Sequence, residues 1–273
     1  MTATRPAGLP GRTSRMPTRA LLGLTAVVVL AQIAWPLTRS TLREHLTVAI
    51  VIGFAAVCVL HAALTRSPGR AAVVLAVTAL PGFAAEVVGV HTGFPFGSYA
   101  YSDALGVRVF GVPLVVALAW TMLSWPAALV ARRLARRPLH RVLLGAWATT
   151  AGDFFLDPQL VAIHGWTWRH PSPHLPGVGT VPLTNYVGWI AVTLVLSALL
   201  QATMGDGGDA LGLALYVWFW LAWTLALAAF LGRPAAAAWG AVAMGTVAVP
   251  LLVRLAPAAR RSPRDLHPVG ARG

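Results

Sequence analysis

The chain is 273 residues long, 57% apolar and only 11% charged, with a mean hydropathy of +0.71. Soluble domains carry about 25% charged and 45–50% apolar residues, so this composition excludes a water-soluble globular protein, and it is far too apolar for a disordered one. The 21 basic residues are all arginines and face eight acids, a formal charge of +13; they stand in short runs between apolar stretches, which is how membrane topology is encoded, not how a nucleic-acid surface is built.

Eight apolar stretches follow one another at roughly 20–37, 46–64, 71–90, 111–131, 142–163, 182–202, 211–231 and 235–256. Each is close to the ~20 residues that cross a hydrocarbon core of about 30 Å. The predicted fold is therefore all-α, a polytopic membrane bundle of about eight transmembrane helices. The first stretch follows Arg5, Arg12, Arg15 and Arg19 and resembles a signal peptide, but no small-residue cleavage site precedes Arg39, so it reads as a retained anchor. Residues 1–19 and 258–273 read as disordered basic tails flanking a single transmembrane domain, 20–257. If eight helices alternate, both tails, Arg66 and Arg70, and the cluster Arg132, Arg133, Arg136, Arg137 and Arg141 share one side. By the positive-inside rule that side is cytoplasmic, and the protein is multi-pass in a bacterial cytoplasmic membrane. The segment 203–210 falls on the same side yet carries Asp206 and Asp209. The longest internal loops, 91–110 and 164–181, fall outside; rich in Gly, Pro and aromatics, they are expected to fold back over the bundle. No repeat of fixed period is visible. Cys58 is the only cysteine, so no disulfide or zinc cluster forms within one chain.

Three acids lie within predicted spans: Glu86, Asp153 and Asp157. An ionisable group there costs roughly 2.5–3.5 kcal/mol on insertion scales and is a functional candidate, the blander alternative being a carboxyl–carbonyl contact between helices. At about 1.5 Å per residue, Glu86 lies about 22 Å along the third span, Asp153 about 18 Å and Asp157 about 24 Å beyond Arg141, and Asn185 enters from outside to a similar level. Asp153 and Asp157, spaced i and i+4, share a helix face, and Pro158 frees a backbone carbonyl beside them. Two close carboxyls in a dry place do not both ionise readily, so one is expected to keep its proton while its neighbour is charged, giving an acid and a base. Around this layer stand Phe94, Phe96, Tyr99, Tyr101, Trp120, Trp125, Phe154, Phe155, Trp166, Trp168, Tyr186 and Trp189. Singly, each is most simply a belt or packing residue. Together, beside the acids, they offer faces that stabilise a cation and grip a flat polyene.

Other polar groups read as ordinary. His164, His170 and His174 share a loop in which Pro171 and Pro173 break any helix that would align them on a metal. His45, His61 and His140 read as interface or helix-end residues. Asp153/Asp157 and Asp206/Asp209 would make two magnesium-diphosphate motifs of a prenyltransferase, but the topology sets them in opposite halves of the membrane.

Two blocks carry a family resemblance. One runs Glu86-Val-Val-Gly-Val-His-Thr-Gly-Phe-Pro-Phe-Gly-Ser-Tyr-Ala-Tyr101 through Gly111-Val-Pro-Leu114 to Trp120; the other runs Asp153-Phe-Phe-Leu-Asp-Pro158, Gly165-Trp-Thr-Trp168 and Val181-Pro-Leu-Thr-Asn-Tyr-Val-Gly-Trp189. Together they resemble the membrane carotenoid biosynthesis protein family of the bisanhydrobacterioruberin hydratase and gamma-carotene hydratase type. The resemblance covers roughly residues 80–195 in detail and the whole chain in span layout. It implies a hydro-lyase that adds water to the terminal double bond of an acyclic carotenoid end group by acid–base catalysis, with no cofactor and no metal. On this reading Asp153 or Asp157 protonates the alkene, while the other, with Glu86, holds charge and activates water. Asn185 and His91 position that water. Phe94, Phe96, Tyr99, Tyr101, Trp120, Trp166, Trp168, Tyr186 and Trp189 bind the end group. The implied partners are a lipid-dissolved acyclic carotenoid, membrane lipid and other membrane enzymes of the pathway, with no nucleic acid. The nearest rivals are a lycopene-type cyclase, which forms the same cation and loses a proton after ring closure, and a non-catalytic carotenoid-binding membrane protein. The one departure from the family pattern is His170–Gly179, where an aromatic-rich approach to the Val-Pro-Leu step is expected; it bears on the lid over the site.

Overall fold

Eight long helices follow the eight apolar stretches: α1 (Arg15–Ala34), α2 (Ser40–Thr65), α3 (Pro68–Thr92), α4 (Leu114–Leu134), α5 (Pro138–Ala162), α6 (Leu183–Thr203), α7 (Ala210–Leu225, prolonged by a wider turn over Ala226–Phe230) and α8 (Pro234–Ala259). The computed structural model describes residues 15–259, and the rest of the two expected basic tails lies outside the described residues. Local chemistry sets the helix ends. A proline, whose missing N–H is not needed in a first turn, opens α3, α5 and α8. Ser67 caps α3 by accepting the Arg70 N–H at 3.2 Å. Gly93, at φ +79°, stops the same helix and returns its N–H to the Gly89 carbonyl at 2.8 Å.

Among the described residues, seven helices are long and apolar enough to cross a membrane. The eighth, α5, falls short because it carries Thr149, Thr150, Asp153, Asp157 and Gln159, all of them buried. It packs against α4, α6 and α8, so its polar groups face protein and not lipid.

The acids of 203–210 find their counter-ions at one end of the bundle. Arg66 pairs with Asp209 at 2.5 Å, Arg132 pairs with Asp206, and Arg70 donates to the Thr203 carbonyl. Acids in an arginine-rich loop layer thus knit that layer together. His61, read as an interface or helix-end residue, stands near the end of α2. It is buried near the same end, where its Nδ1 accepts the Trp125 Nε1–H at 3.1 Å, and the Arg66 guanidinium lies 5.1 Å from the Trp125 ring.

The opposite end holds short strands that the all-helical expectation did not contain: β1 (Tyr99–Tyr101), β2 (Arg108–Val109), β3 (Val112–Pro113), β4 (Trp166–Trp168), β5 (His174–Leu175) and β6 (Val178–Pro182). They form three antiparallel ribbons, β1–β4, β2–β3 and β5–β6. The first fastens the two long loops to each other across the bundle. Two further backbone bonds extend it: Ser102 N–H to the Gly165 carbonyl and Arg169 N–H to the Ser98 carbonyl.

The middle of the bundle repeats itself. From α3 to α4 and again from α5 to α6 the chain presents an acid near a helix end (Glu86; Asp157), a strand with alternate rings (Tyr99 and Tyr101; Trp166 and Trp168) and a Val-Pro-Leu step. A tryptophan then follows at the same distance beyond the proline (Trp120; Trp189). Tyr99 lies opposite Trp168 and Tyr101 opposite Trp166, and Trp120 stacks on Trp189 at 4.2 Å and 28°. These are the pairings a local two-fold axis produces. A Thr78–Thr121 hydrogen bond of 2.7 Å joins α3 to α4 as a Thr150–Thr193 bond of 2.9 Å joins α5 to α6. No fixed period betrays this in the sequence because the landmark spacings differ by a few residues between the halves.

Candidate active site

Beneath the β1–β4 ribbon lies a cavity lined by α2, α3, α4, α5, α6 and the ribbon itself. Strand geometry explains its roof. Residues i and i+2 point to the same side of a strand, so Tyr99, Tyr101, Trp166 and Trp168 share one face. Their rings pack at 5.8 Å (Tyr99–Trp168), 5.4 Å (Tyr101–Trp166) and 5.5 Å (Tyr99–Tyr101). Phe96, Trp120 and Trp189 complete the aromatic wall. Two helix glycines let the loop sink this deep. A Cβ on Gly89 would stand 2.8 Å from both the Phe96 ring and the Tyr99 hydroxyl, and one on Gly188 would stand 2.7 Å from the Pro95 carbonyl oxygen.

Two carboxyl groups and one amide reach this largely apolar space: Glu86, Asp157 and Asn185. Glu86 Oε2 accepts hydrogen bonds from both phenols, from Tyr99 at short range and from Tyr101 at 2.8 Å. Burial, and then the adjacent Glu86 carboxyl, push both phenols up from the ordinary tyrosine range, so they stay protonated and act as donors. Across the cavity, the Asn185 amide nitrogen donates to Asp153 Oδ2 at 3.0 Å and, more closely, to Asp157 Oδ2. One amide thus holds the i, i+4 pair together. Asp153 Oδ1, Gln159 Oε1, Tyr186 Oη and Trp120 Nε1 are buried with no protein partner. Such groups are what an enclosed water or a polar reactant satisfies.

The residues singled out from sequence sort into three groups. Glu86, Asp157, Asn185, Phe96, Tyr99, Tyr101, Trp120, Trp166, Trp168 and Trp189 line the cavity. Asp153 and Tyr186 stand behind the wall: Asp153 is fully buried and reaches the site through Asn185, while Tyr186 stacks on Phe154 at 4.4 Å. His91 and Phe94 are not brought to the cavity. Both are exposed, Phe94 by 72%, and the His91 ring bonds the Val87 carbonyl of its own helix at 2.8 Å. They sit where α3 ends and the chain turns outward, one turn past Glu86, so nearness in sequence does not become nearness in space. Trp125 belongs to the His61 cluster at the other end. The divergent His170–Gly179 segment contributes β5 and the start of β6 and no cavity-lining residue. Sequence reading missed Thr47, Val48 and Val51 of α2, which close one side. An all-apolar helix face carries no signal that separates a cavity wall from core. The alternation in Tyr-Ala-Tyr and Trp-Thr-Trp, by contrast, is a strand signal that announces the ribbon. Among the described residues no three His, Cys, Asp or Glu side chains gather as a metal site requires.

Fold and site define a polytopic membrane protein whose bundle encloses carboxyl groups beneath an aromatic roof. The sequence profile of the family described as "Carotenoid biosynthesis protein" matches residues 45–251, a span that includes every cavity-lining residue named above. The chain belongs to this family. Bisanhydrobacterioruberin hydratase of Haloarcula japonica is 32% identical to it over 126 residues, which cover 44% of this chain and 41% of that relative. The similarity thus spans under half of that protein's length. No solved structure matches the chain.

Proposed function

We propose that this protein is a carotenoid hydratase of the bacterial cytoplasmic membrane, acting on the terminal double bond of an acyclic carotenoid drawn from the lipid. The observation that carries the reading is that Glu86 and Asp157, from different helices, open onto one aromatic-walled, otherwise apolar cavity. In the proposed reaction the Asp157 carboxyl gives its proton to the CH carbon of the terminal (CH3)2C=CH group. The double-bond electrons form the new C–H bond and leave a tertiary carbocation. In this scheme Glu86, which accepts from Tyr99 and Tyr101, carries the negative charge that, with the surrounding ring faces, stabilises that cation. Water adds to the cationic carbon and a carboxylate takes the excess proton, so the net change is one water added. Asp153 acts as a positioning residue through Asn185. The hydratase name of the Haloarcula japonica relative supports this reading.

The test is expression in a host that makes an acyclic carotenoid, without oxygen, in water carrying heavy oxygen. A pigment one water heavier, with the label in its hydroxyl, is expected. A ringed product of unchanged mass selects cyclisation instead, and a strict need for oxygen overturns the acid–base scheme.

A further inference from the structure

A second cavity adjoins the first: Thr47, Val51 and Leu160 line both. It is bounded by Gln32 of α1 and Trp35 just beyond it, Ile50 of α2, Met122 of α4, Leu156 of α5, and Phe219, Ala222, Trp223 and Ala226 on and just beyond α7. Its chemistry differs from that of the acid cavity. No charged group faces it, and Trp35, Thr47 and Gln32 of its lining are hydrogen-bonded within the protein. Trp35 Nε1 donates to Thr47 Oγ1 at 2.8 Å, Thr47 Oγ1 donates to the Arg43 carbonyl at 2.8 Å, and Gln32 Oε1 accepts the Trp218 Nε1–H at 2.8 Å. None of its lining side chains has an unpaired buried polar atom. Flat faces stand in it instead, Trp35 against Trp223 at 5.5 Å and Phe219 against Trp223 at 6.0 Å. A space like this rewards an apolar, flat ligand and offers a polar solute nothing. On its outer side stands α1, which packs chiefly on α2 and meets α7 through the Gln32–Trp218 bond and the Trp35–Trp223 ring pair.

We propose that this second cavity is the chain-binding chamber. The end group of a linear isoprenoid sits between Asp157 and Glu86, its polyene passes the neck formed by Thr47, Val51 and Leu160, and the chain continues between α1 and α7 toward lipid. The proposal rests on the hydratase reading for the end group at the acids, and on the three lining residues that the two cavities share for the path of the chain.

Two measurements separate the two. The first uses an acyclic forty-carbon polyene carrying a photoactivatable diazirine near its middle, added to the protein in lipid vesicles. Label is expected on Phe219–Ala226 and on Gln32–Trp35, reduced about tenfold or more by Ala222→Trp, which fills the chamber, and unchanged by Leu221→Trp, which places the same indole on the exposed face of α7. Label elsewhere, or label indifferent to Ala222→Trp, overturns the chamber. The second compares conversion of that polyene, without the diazirine, with conversion of a short acyclic alkene bearing the same end group. Ala222→Trp is expected to lower the preference for the long substrate about tenfold or more; an unchanged preference also overturns the chamber. If the wild-type protein converts neither substrate while the label maps to α7 and α1, the chamber stands and the hydratase reading falls.

Discussion

Removing the phenols that hold Glu86 tests the charge logic of the site directly. Tyr99→Phe and Tyr101→Phe each keep the ring and its packing in the ribbon and delete one donor to Glu86 Oε2. Both tyrosines are buried, 5% and 8% exposed, so bulk water does not replace the lost donor freely. A hydrogen bond to a charged group contributes about 1.5–3 kcal/mol. With 1.36 kcal/mol to a decade of rate, each single change should slow conversion about 10- to 100-fold and the double change about 10²- to 10⁴-fold. The assay is the initial rate in reconstituted vesicles, followed by chromatography, with kcat and KM determined separately and pigment retention as the measure of folding. Tyr216→Phe is the control. It deletes a buried phenol that bonds the Ala148 carbonyl at 3.3 Å, outside the cavity. It should cost about 1 kcal/mol of stability and leave the rate within about twofold. If the double variant binds pigment and converts it within about threefold of wild type, Glu86 does not work as a charged group and the scheme is wrong.

Three further outcomes follow from the same geometry. Asp157→Asn should retain carotenoid and lose conversion by about 10³-fold or more, whereas a pure binding protein would show no change in any pigment it carries. Asn185→Leu strips both aspartates of their shared donor, so thermal melting in detergent should show a loss of about 1–3 kcal/mol together with lost activity. At the opposite end, Arg66→Ala should destabilise by about 2 kcal/mol or more, because its side chain is 2% exposed, pairs with Asp209 and covers Trp125. Arg132→Ala, whose partner Asp206 is 94% exposed, should cost under about 1 kcal/mol in the same melt.

The span layout, the helical class and the layer of acids were legible in the sequence alone. Transfer of apolar segments into lipid is a local property that each stretch of about twenty residues carries by itself, and a carboxyl placed inside such a stretch is conspicuous wherever the helix later packs. Family membership was legible too, through Glu86–Tyr101 and Asp153–Trp189, blocks long enough to be distinctive. Tertiary structure decided which of these groups meet. It bonded Tyr99 and Tyr101 to Glu86, put Asp157 on the cavity and Asp153 behind it, and turned His91 and Phe94 outward. It also recruited Thr47 and Val51 from a featureless apolar helix and revealed the two-fold pairing of Trp120 with Trp189. Such facts depend on helix rotation and on how deeply a loop sinks between Gly89 and Gly188. Both are set by packing between segments distant in the chain, which no single stretch encodes.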